Sequence, residues 1–437
     1  MNTICALTLY RKLLINILMF LMFIGIGFLN SGCATHPTIS EPKNFYINLE
    51  GNSTDQKSIF VFLDGTGNDQ TSVTNVWKLF RLIEKHKNLQ TVGRYIEGVG
   101  SVNEPLEDDP IFSFYGDALG RGMQYRILEG YDFIAKNYNS GDEIFIIGFS
   151  RGAHQARALA GLLAYAGVPS AYKNNEKYKV KFEKILKLLK ESRDEDFAEK
   201  WSSWKPKQAP LLAKSLKADR DIELDMQPVE IKFLGIWDTV PGSSFKEYDA
   251  CKEQIGFWKR NFHWLPMISK GERYKSDSYP PIRYIAHAVS LDEKRSKFTP
   301  LYLCNAIKSE YTNLDEKWFP GAHADVGGGY ANDDLPNISL NWMLSLLEKN
   351  YNFSSKPEVE IGNVKGLAHW SYGDGKASIG SDCENRLDRE DRQPPLGYNP
   401  DTSIKERIQN GVVPVSIKGV CNDRDWKYPI LCPGPEL

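Results

Sequence analysis

One short stretch constrains the fold of this chain more than any other. An apolar, β-branched run over residues 143–148 leads directly into a G-x-S-x-G motif centred on Ser150, and an alanine- and leucine-rich stretch follows. A strand, a sharp glycine-flanked turn and a helix form the context of a nucleophile elbow, because the turn must hold a serine hydroxyl clear of the sheet. The pattern therefore predicts an α/β fold with Ser150 as a nucleophile. The alternative is a buried serine that only caps the helix.

Apolar strand-like runs alternate with helical patterns through residues 57–349, which we interpret as one catalytic domain. This alternation predicts a mainly parallel sheet with helices on both faces. The runs that we interpret as strands are residues 58–63, 94–98, 143–148, 229–237 and 301–305, and the helical patterns cover residues 73–83 and 117–138.

Two insertions and a C-terminal extension interrupt this alternation. Residues 173–225 are rich in lysine and carry apolar residues at helical spacing, which predicts either a cap or an amphipathic helix lying on the body. Residues 245–279 are rich in aromatic residues, typical of a lid, an acyl-chain pocket or a membrane contact, or of a packed loop. Residues 350–437 contain much glycine, proline and aspartate, and we expect them to form an extension with little regular structure.

The N-terminus has the features of a lipoprotein signal. Basic residues precede an apolar stretch over residues 13–29, and small residues then lead to Cys33. We predict a signal peptide over residues 1–32, lipidation of Cys33 and a polar tether over residues 33–56; an uncleaved membrane anchor is the alternative. Both interpretations place the catalytic domain outside the cytoplasm. The lipoprotein interpretation predicts a location in the bacterial cell envelope, at the periplasmic face of the outer membrane.

Net charge, cysteine spacing and missing motifs argue against a nucleic-acid-binding protein and against a metal- or cofactor-dependent protein. The formal net charge of the 437 residues is −2, so charge alone does not favour binding to nucleic acid. Beyond Cys5 and Cys33 there are five cysteines, an odd number whose spacing matches no zinc motif. Neither H-E-x-x-H nor G-x-x-x-x-G-K-S/T occurs. We therefore predict no metal and no organic cofactor, and the sequence does not indicate an oligomeric state.

A serine nucleophile needs a general base, and His323 is the leading candidate. It lies in a glycine-rich loop, residues 320–329, that can hold a side chain over the sheet edge. The alternative is a loop histidine bonded to its own backbone. His287, within an apparently helical stretch, is the second candidate, and the remaining histidines lie in the tether, in helices, in the aromatic insertion or in the extension.

The acid that orients the base is predicted to be Asp238, which directly follows the apolar run 231–237. Strand ends are where a parallel sheet presents catalytic groups, and a buried carboxylate there would fix the imidazole tautomer. A turn or helix cap is the alternative role, and Asp325 and Asp292 are further candidates.

The oxyanion hole should combine the backbone N–H of Arg151, which follows the nucleophile, with donors from an earlier loop. The turn after the first strand, residues 64–67, offers Gly65 and Thr66 as these donors. The same turn is also typical of an ion- or phosphate-binding loop.

Six ordered motifs resemble one family. Between residues 58 and 342 the chain is similar to an α/β-hydrolase domain family that includes the class-one phospholipase effectors of bacterial type VI secretion. The resemblance implies an α/β-hydrolase fold, Ser150, Asp238 and His323 as the triad, and a glycerophospholipid ester as substrate. The motifs lie at residues 62–68, 98–100, 148–153, 235–240, 287–295 and 320–329.

We therefore predict a serine esterase or lipase that acts on carboxylic esters of phospholipids and is held at a membrane by its lipid anchor. Two alternatives stay open: a carboxylesterase for a non-lipid ester of the envelope, and a non-catalytic binding or scaffold protein that retains the fold.

Overall fold

The computed structural model describes the body of the chain with gaps. Several predicted segments lie outside the described residues, so the predictions made for them stay predictions. They are the predicted signal peptide, Cys33, most of the predicted tether and the aromatic insertion up to residue 276. The described residues are 45–100, 117–172, 176–192, 194–240, 277–293, 295, 298–303, 310–331, 333–366, 368–369, 392 and 399–410.

Strands and helices alternate along these residues. The strands are β1 (Phe45–Ile47), β2 (Ser58–Leu63), β3 (Thr91–Ile96), β4 (Glu143–Phe149), β5 (Val168–Pro169), β6 (Met226–Gln227), β7 (Ile231–Trp237), β8 (Tyr284–Ser290) and β9 (Asn313–Phe319). The helices are α1 (Asn75–His86), α2 (Asp117–Asn137), α3 (Arg151–Ala166), α4 (Glu176–Glu191), α5 (Ala198–Ser202), α6 (Ala213–Ala218), α7 (His323–Gly327), α8 (Pro336–Leu347) and α9 (Thr402–Gln409).

Seven of the described strands form one sheet in the order β1-β3-β2-β4-β7-β8-β9. Strand β1 pairs antiparallel with β3, and every other neighbouring pair in this sheet is parallel. Strands β2, β4 and β7 therefore end at the same edge of the sheet. The predicted α/β-hydrolase-like class, a mainly parallel sheet with helices on both faces, is confirmed.

The central strands are apolar on both faces because helices cover both sides of the sheet. All six residues of β2 are buried, as parallel strands between two helical layers usually are. Alternate β2 side chains enter different cores: Val61 packs in the cluster that contains residues of α2 and α3, and Phe62 packs in the cluster of α1 and α8. This two-sided burial fixes the strand ends on which the site is built.

The last two strands differ from the sequence prediction. His287, expected in a helical stretch, lies in β8, whose alanines are small enough to pack in the sheet interior. The predicted strand at 301–305 is not a strand in its described part, residues 301–303. Strand β9 lies at the sheet edge, and most of its residues are only partly buried, so its charged sequence lacks the apolar run that predicts a central strand.

The lysine-rich insertion contains a helix that lies on the body. Phe182, Ile185 and Leu189 of α4 are buried in the same core cluster as α2 and α3, while Lys179 and Lys187 on the other face are exposed. This is the amphipathic alternative for the segment. Among the described residues, no helix combines the length and apolar character needed to cross a bilayer.

Candidate active site

Ser150 lies in the sharp turn between β4 and α3. Its backbone has φ 61° and ψ −127°, a conformation rarely adopted by residues other than glycine. The turn fits tightly against β2: a Cβ atom at Gly152 would lie 2.2 Å from the Leu63 carbonyl oxygen. The Ser150 N–H donates to the Trp237 carbonyl oxygen at 3.0 Å, which joins the elbow to the end of β7.

Asp238 follows β7 directly, next to the elbow. It also has a positive φ, 39°, and its N–H donates to the Ala288 carbonyl oxygen at 2.7 Å. Its carboxylate is fully buried and accepts a hydrogen bond from the Ser290 N–H at 2.9 Å. Since β4 and β7 are parallel neighbours, Ser150 and Asp238 meet at the same edge of the sheet.

His323 begins α7, the short helix after β9, and joins these two side chains. Its Nε2 lies 2.7 Å from the Ser150 Oγ, and its Nδ1 lies 2.5 Å from the Asp238 Oδ2. The imidazole packs between Phe149 and Phe298, with ring centroids 4.6 and 4.9 Å away. The three predicted side chains thus form one hydrogen-bonded chain of the kind that activates a serine.

Burial and neighbouring charges determine the protonation states of Asp238 and His323. Burial acts to raise the pKa of Asp238, but the neighbouring Arg392 charge and the hydrogen bond from His323 outweigh it and hold that pKa well below its usual range. Burial lowers the pKa of His323, and the Asp238 carboxylate only partly offsets this. The carboxylate is therefore ionised and can only accept, so Nδ1 carries the imidazole proton and Nε2 faces the serine hydroxyl as an acceptor.

The other candidates for the base and the acid, His287 and Asp292, lie in positions that support the turns around Asp238 and His323. The His287 Nδ1 bonds Glu316 at 2.9 Å, and its Nε2 accepts from the Thr239 N–H at 3.2 Å, so it supports the turn beneath Asp238. The Asp292 carboxylate accepts from the Gly321 N–H at 2.6 Å.

Asp325 also supports the histidine helix. Its carboxylate accepts from the Ala322 N–H at 2.9 Å and lies 2.6 Å from the His369 Nδ1. The ring of Tyr330 stacks on His369 at 3.8 Å. Asp325 and Asp292 thus hold the two ends of the turn that presents His323.

The loop after β2 lies against the nucleophile, as predicted, but its donors are only partly available. A Cβ atom at Gly65 would lie 2.9 Å from the Ser150 Cβ. The prediction that the Gly65 N–H serves the oxyanion is not supported, because this N–H donates to the Asp64 Oδ1 at 2.7 Å. In the described part of the chain, the N–H groups of Thr66 and Arg151 have no hydrogen-bond acceptor, so both stay candidate donors.

Asp64 holds this loop through a buried network. Its Oδ2 accepts from the Thr74 hydroxyl at 2.5 Å and from the Tyr95 hydroxyl at 2.7 Å. Burial raises the pKa of the Asp64 carboxyl to about 6, although these hydrogen bonds act to lower it. Within the described ranges, no three histidine, cysteine or acidic side chains are grouped so that they could hold a metal ion.

Sequence reasoning included Glu293 and Arg295 in the motif at residues 287–295 without a role, and it missed Arg392. Arg392 contacts the Asp238 carboxylate with both terminal nitrogens, at 2.5 and 3.0 Å. Glu293 accepts from the His323 N–H at 3.3 Å and is paired with Arg295 at 2.9 Å. No local pattern marks Arg392; the available signal is that a buried carboxylate requires a partner.

Comparison with known proteins gives one family match. Residues 57–346 match the family described as T6SS, Phospholipase effector Tle1-like, catalytic domain. The uncharacterized protein YEL023C of Saccharomyces cerevisiae is 23% identical over 384 residues, which cover 62% of this chain and 54% of that protein. The chain thus spans about half the length of this curated relative.

Two solved structures are also similar in part. One is an uncharacterized protein from Pseudomonas aeruginosa, with 17% identity, coverage of 70% of this chain and 47% of that one, and a TM-score of 0.34. The other is a thermophilic esterase from Thermogutta terrifontis with propionate bound, with 13% identity, coverage of 72% and 91%, and a TM-score of 0.35.

Proposed function

Because the chain belongs to the family of T6SS Tle1-like phospholipase effector catalytic domains, we propose that it is a serine hydrolase that cleaves carboxylic esters of glycerophospholipids. The observation that carries the proposal is the hydrogen-bonded chain from the Ser150 Oγ through both nitrogens of His323 to Asp238. Its order and polarity are those of a nucleophile, a base and an orienting acid.

The proposed reaction has two steps. The Ser150 Oγ attacks the ester carbonyl carbon while its proton passes to the His323 Nε2, and the tetrahedral intermediate then collapses. The bond to the leaving alcohol breaks, that alcohol takes the proton from Nε2, and an acyl-serine remains. Water then attacks the acyl carbon with His323 again as the base, which releases the fatty acid and regenerates the serine.

The charges that develop match the groups around the serine. Asp238 stabilises the imidazolium that forms when His323 takes the proton. The N–H groups of Thr66 and Arg151 are the proposed donors to the oxyanion, and each donor of this kind contributes about 10²–10³ in kcat. Arg151 begins α3, so its N–H lies at the positive end of the helix dipole.

A fluorophosphonate probe tests the nucleophile directly. We expect the purified full chain in detergent to be labelled at Ser150, and Ser150→Ala to abolish labelling and lower kcat by about 10⁴–10⁶. Ser403→Ala is the matched control, since Ser403 is a buried serine in α9 bonded to Asp401. A folded wild-type protein that resists the probe would refute the serine-hydrolase mechanism and favour a binding or scaffold role.

Product analysis tests the substrate. After incubation with vesicles of mixed phospholipids, we expect free fatty acid and lysophospholipid by mass spectrometry, and neither product with Ser150→Ala. Turnover of p-nitrophenyl butyrate without lysophospholipid would instead favour a carboxylesterase for a non-lipid ester. Phosphoesterase activity that persists in Ser150→Ala would assign the loop at residues 64–67 to phosphate binding.

We propose that Cys33 is lipidated and anchors the enzyme at the periplasmic face of the outer membrane. Support comes from the sequence: an apolar stretch over residues 13–29 precedes the small residues before this cysteine. In cells fed an alkyne fatty acid, we expect Cys33→Ser to lose the label and leave the membrane fraction. Cys5→Ser is the control, and retention of label in Cys33→Ser would refute the proposal.

A further inference from the structure

Arg392 is a buried arginine that the catalytic scheme above does not use. It lies in the C-terminal extension, 46 residues beyond the end of the family match at residue 346. Only 4% of its side chain is exposed, and it forms an ion pair with Asp238. Two arginine nitrogens meet two carboxylate oxygens, the bidentate geometry that best fixes a carboxylate in orientation.

The rest of the Arg392 contacts tie it to the scaffold around the acid. One terminal nitrogen donates to the Ser290 carbonyl oxygen at 2.6 Å and lies 2.8 Å from the Ser290 Oγ. The other donates to the Phe298 carbonyl oxygen at 2.5 Å. Phe298 also packs on the imidazole of His323. Arg392 therefore contacts both Asp238 and a residue that packs against His323.

We propose, on the basis of the proposed serine-hydrolase function, that Arg392 is a positioning residue through which the C-terminal extension completes the active site. It acts through Asp238: it keeps the carboxylate ionised in a fully buried position and holds the Oδ2 toward His323. The family domain alone does not contain this cation.

The charges around the triad balance only when Arg392 is present. Within the described residues, the charged or titratable groups that lie against the Asp238–His323 pair besides Arg392 are Glu293, Arg295 and Tyr302. With neutral imidazole and phenol groups, the two carboxylates are matched by two guanidinium groups. Loss of Arg392 leaves one buried negative charge in excess.

That excess charge has a predictable sign in the pH profile. A nearby positive charge disfavours protonation of the Asp238–His323 pair, so its removal raises the pH at which the pair takes up a proton. An arginine next to an aspartate lowers the pKa of that carboxyl by about 1–3, and Asp238 in turn is hydrogen-bonded to the His323 Nδ1. Because the active base is neutral His323, we expect Arg392→Gln to move the acid limb of kcat/KM to higher pH, with about tenfold lower activity per unit on that limb.

The experiment compares three variants of the full chain. Arg392→Gln removes the charge, and Arg392→Lys keeps the charge but cannot engage both oxygens in a planar fork. Arg407→Gln is the matched control, because Arg407 is a buried arginine of the same extension that donates to the carbonyl oxygens of Val364 and Gly366. The measurements are kcat/KM for p-nitrophenyl butyrate from pH 5 to 9, the thermal midpoint, and the low-field proton resonance of the His323 Nδ1–H.

The pH profile and the thermal midpoint together distinguish a positioning role of Arg392 from a purely structural one. The proposal requires that Arg392→Gln move both the acid limb and the His323 titration upward by at least about one unit, and that Arg407→Gln move neither. If Arg392→Gln only lowers the thermal midpoint, as Arg407→Gln does, the role is structural and the proposal is wrong.

The test also gives a result if Arg392→Gln does not fold or if the wild-type protein is inactive. If Arg392→Gln does not fold, Arg392→Lys decides: an unmoved limb with kcat at least about tenfold lower supports orientation by the bidentate contact, and a wild-type kcat overturns it. If the wild-type protein neither labels nor turns over an ester, the proposed function fails, but the His323 titration still reports whether Arg392 controls the pair.

Discussion

The backbone of Ser150 stores strain that two variants can measure. With φ 61° and ψ −127°, the residue occupies a region where a Cβ atom is unfavourable, at a cost of about 1–3 kcal/mol. Ser150→Ala and Ser150→Gly both remove the hydroxyl and its hydrogen bond to His323, but only Ser150→Gly removes the Cβ atom. The difference in stability between the two variants therefore reports the strain that glycine relieves, less the entropy that glycine adds to the unfolded chain.

The magnitude follows from two opposing effects. Glycine relieves about 1–3 kcal/mol of strain, and it costs about 0.4–1 kcal/mol through the larger entropy of the unfolded chain. We expect Ser150→Gly to be more stable than Ser150→Ala by about 1 kcal/mol. Ser345 provides the control, because it is exposed in α8 with helical backbone. There glycine should be less stable than alanine by about 1 kcal/mol.

The assay is urea unfolding followed by tryptophan fluorescence, with the midpoints of all four variants compared. The informative result is a reversal of sign between positions 150 and 345. If Ser150→Gly is destabilised relative to Ser150→Ala as much as the pair at position 345, the elbow is not strained and the reasoning fails. Neither variant at position 150 should react with the fluorophosphonate probe.

Two further predictions concern the packing and the charge beneath the elbow. Gly152→Ala would place a Cβ atom 2.2 Å from the Leu63 carbonyl oxygen and 2.4 Å from that of Asp64, so we expect a loss of at least about 2 kcal/mol in urea unfolding and no probe labelling; wild-type labelling would contradict this packing. Burial raises the pKa of Asp64 to about 6, so the folded chain binds this proton more tightly than the unfolded chain, and the contribution of Asp64 to stability falls as pH rises from about 4 to 6. Asp64→Asn should lack this fall when urea midpoints are compared with wild type between pH 4 and 8, and parallel pH curves would contradict it.

The sequence was sufficient to place Ser150 and Asp238 at the edge of the sheet because each follows a recognisable strand end. The runs before Ser150 and Asp238 are apolar except for Glu143 and Lys232, since β4 and β7 lie between two helical layers. His323 was recognisable by its glycine-rich loop rather than by a strand, because β9 at the edge of the sheet is charged. An edge strand has a neighbouring strand on one side only, and most residues of β9 are partly exposed, so composition does not separate it from a loop.

The loop at residues 64–67 shows a different limit. Its position next to Ser150 follows from the order of the strands, but the use of each N–H depends on side chains that fold onto it. Asp64 takes the Gly65 N–H and leaves that of Thr66, a choice made by a local hydrogen bond of 2.7 Å. Motif spacing does not encode such a choice, because aspartate binds its own backbone only in particular turn geometries.

The C-terminal extension was the least predictable part, although it reaches the site twice. Arg392 pairs with Asp238, and His369 pairs with Asp325, two residues after His323. In sequence these are ordinary charged residues in a segment rich in glycine and aspartate, and such runs are usually solvated. Yet both acidic partners are fully buried, and a buried carboxylate that loses its partner costs about 3–5 kcal/mol. The polar groups that the catalytic domain buries thus require residues beyond its sequence boundary, so the boundary of the family match is not the boundary of the folded site.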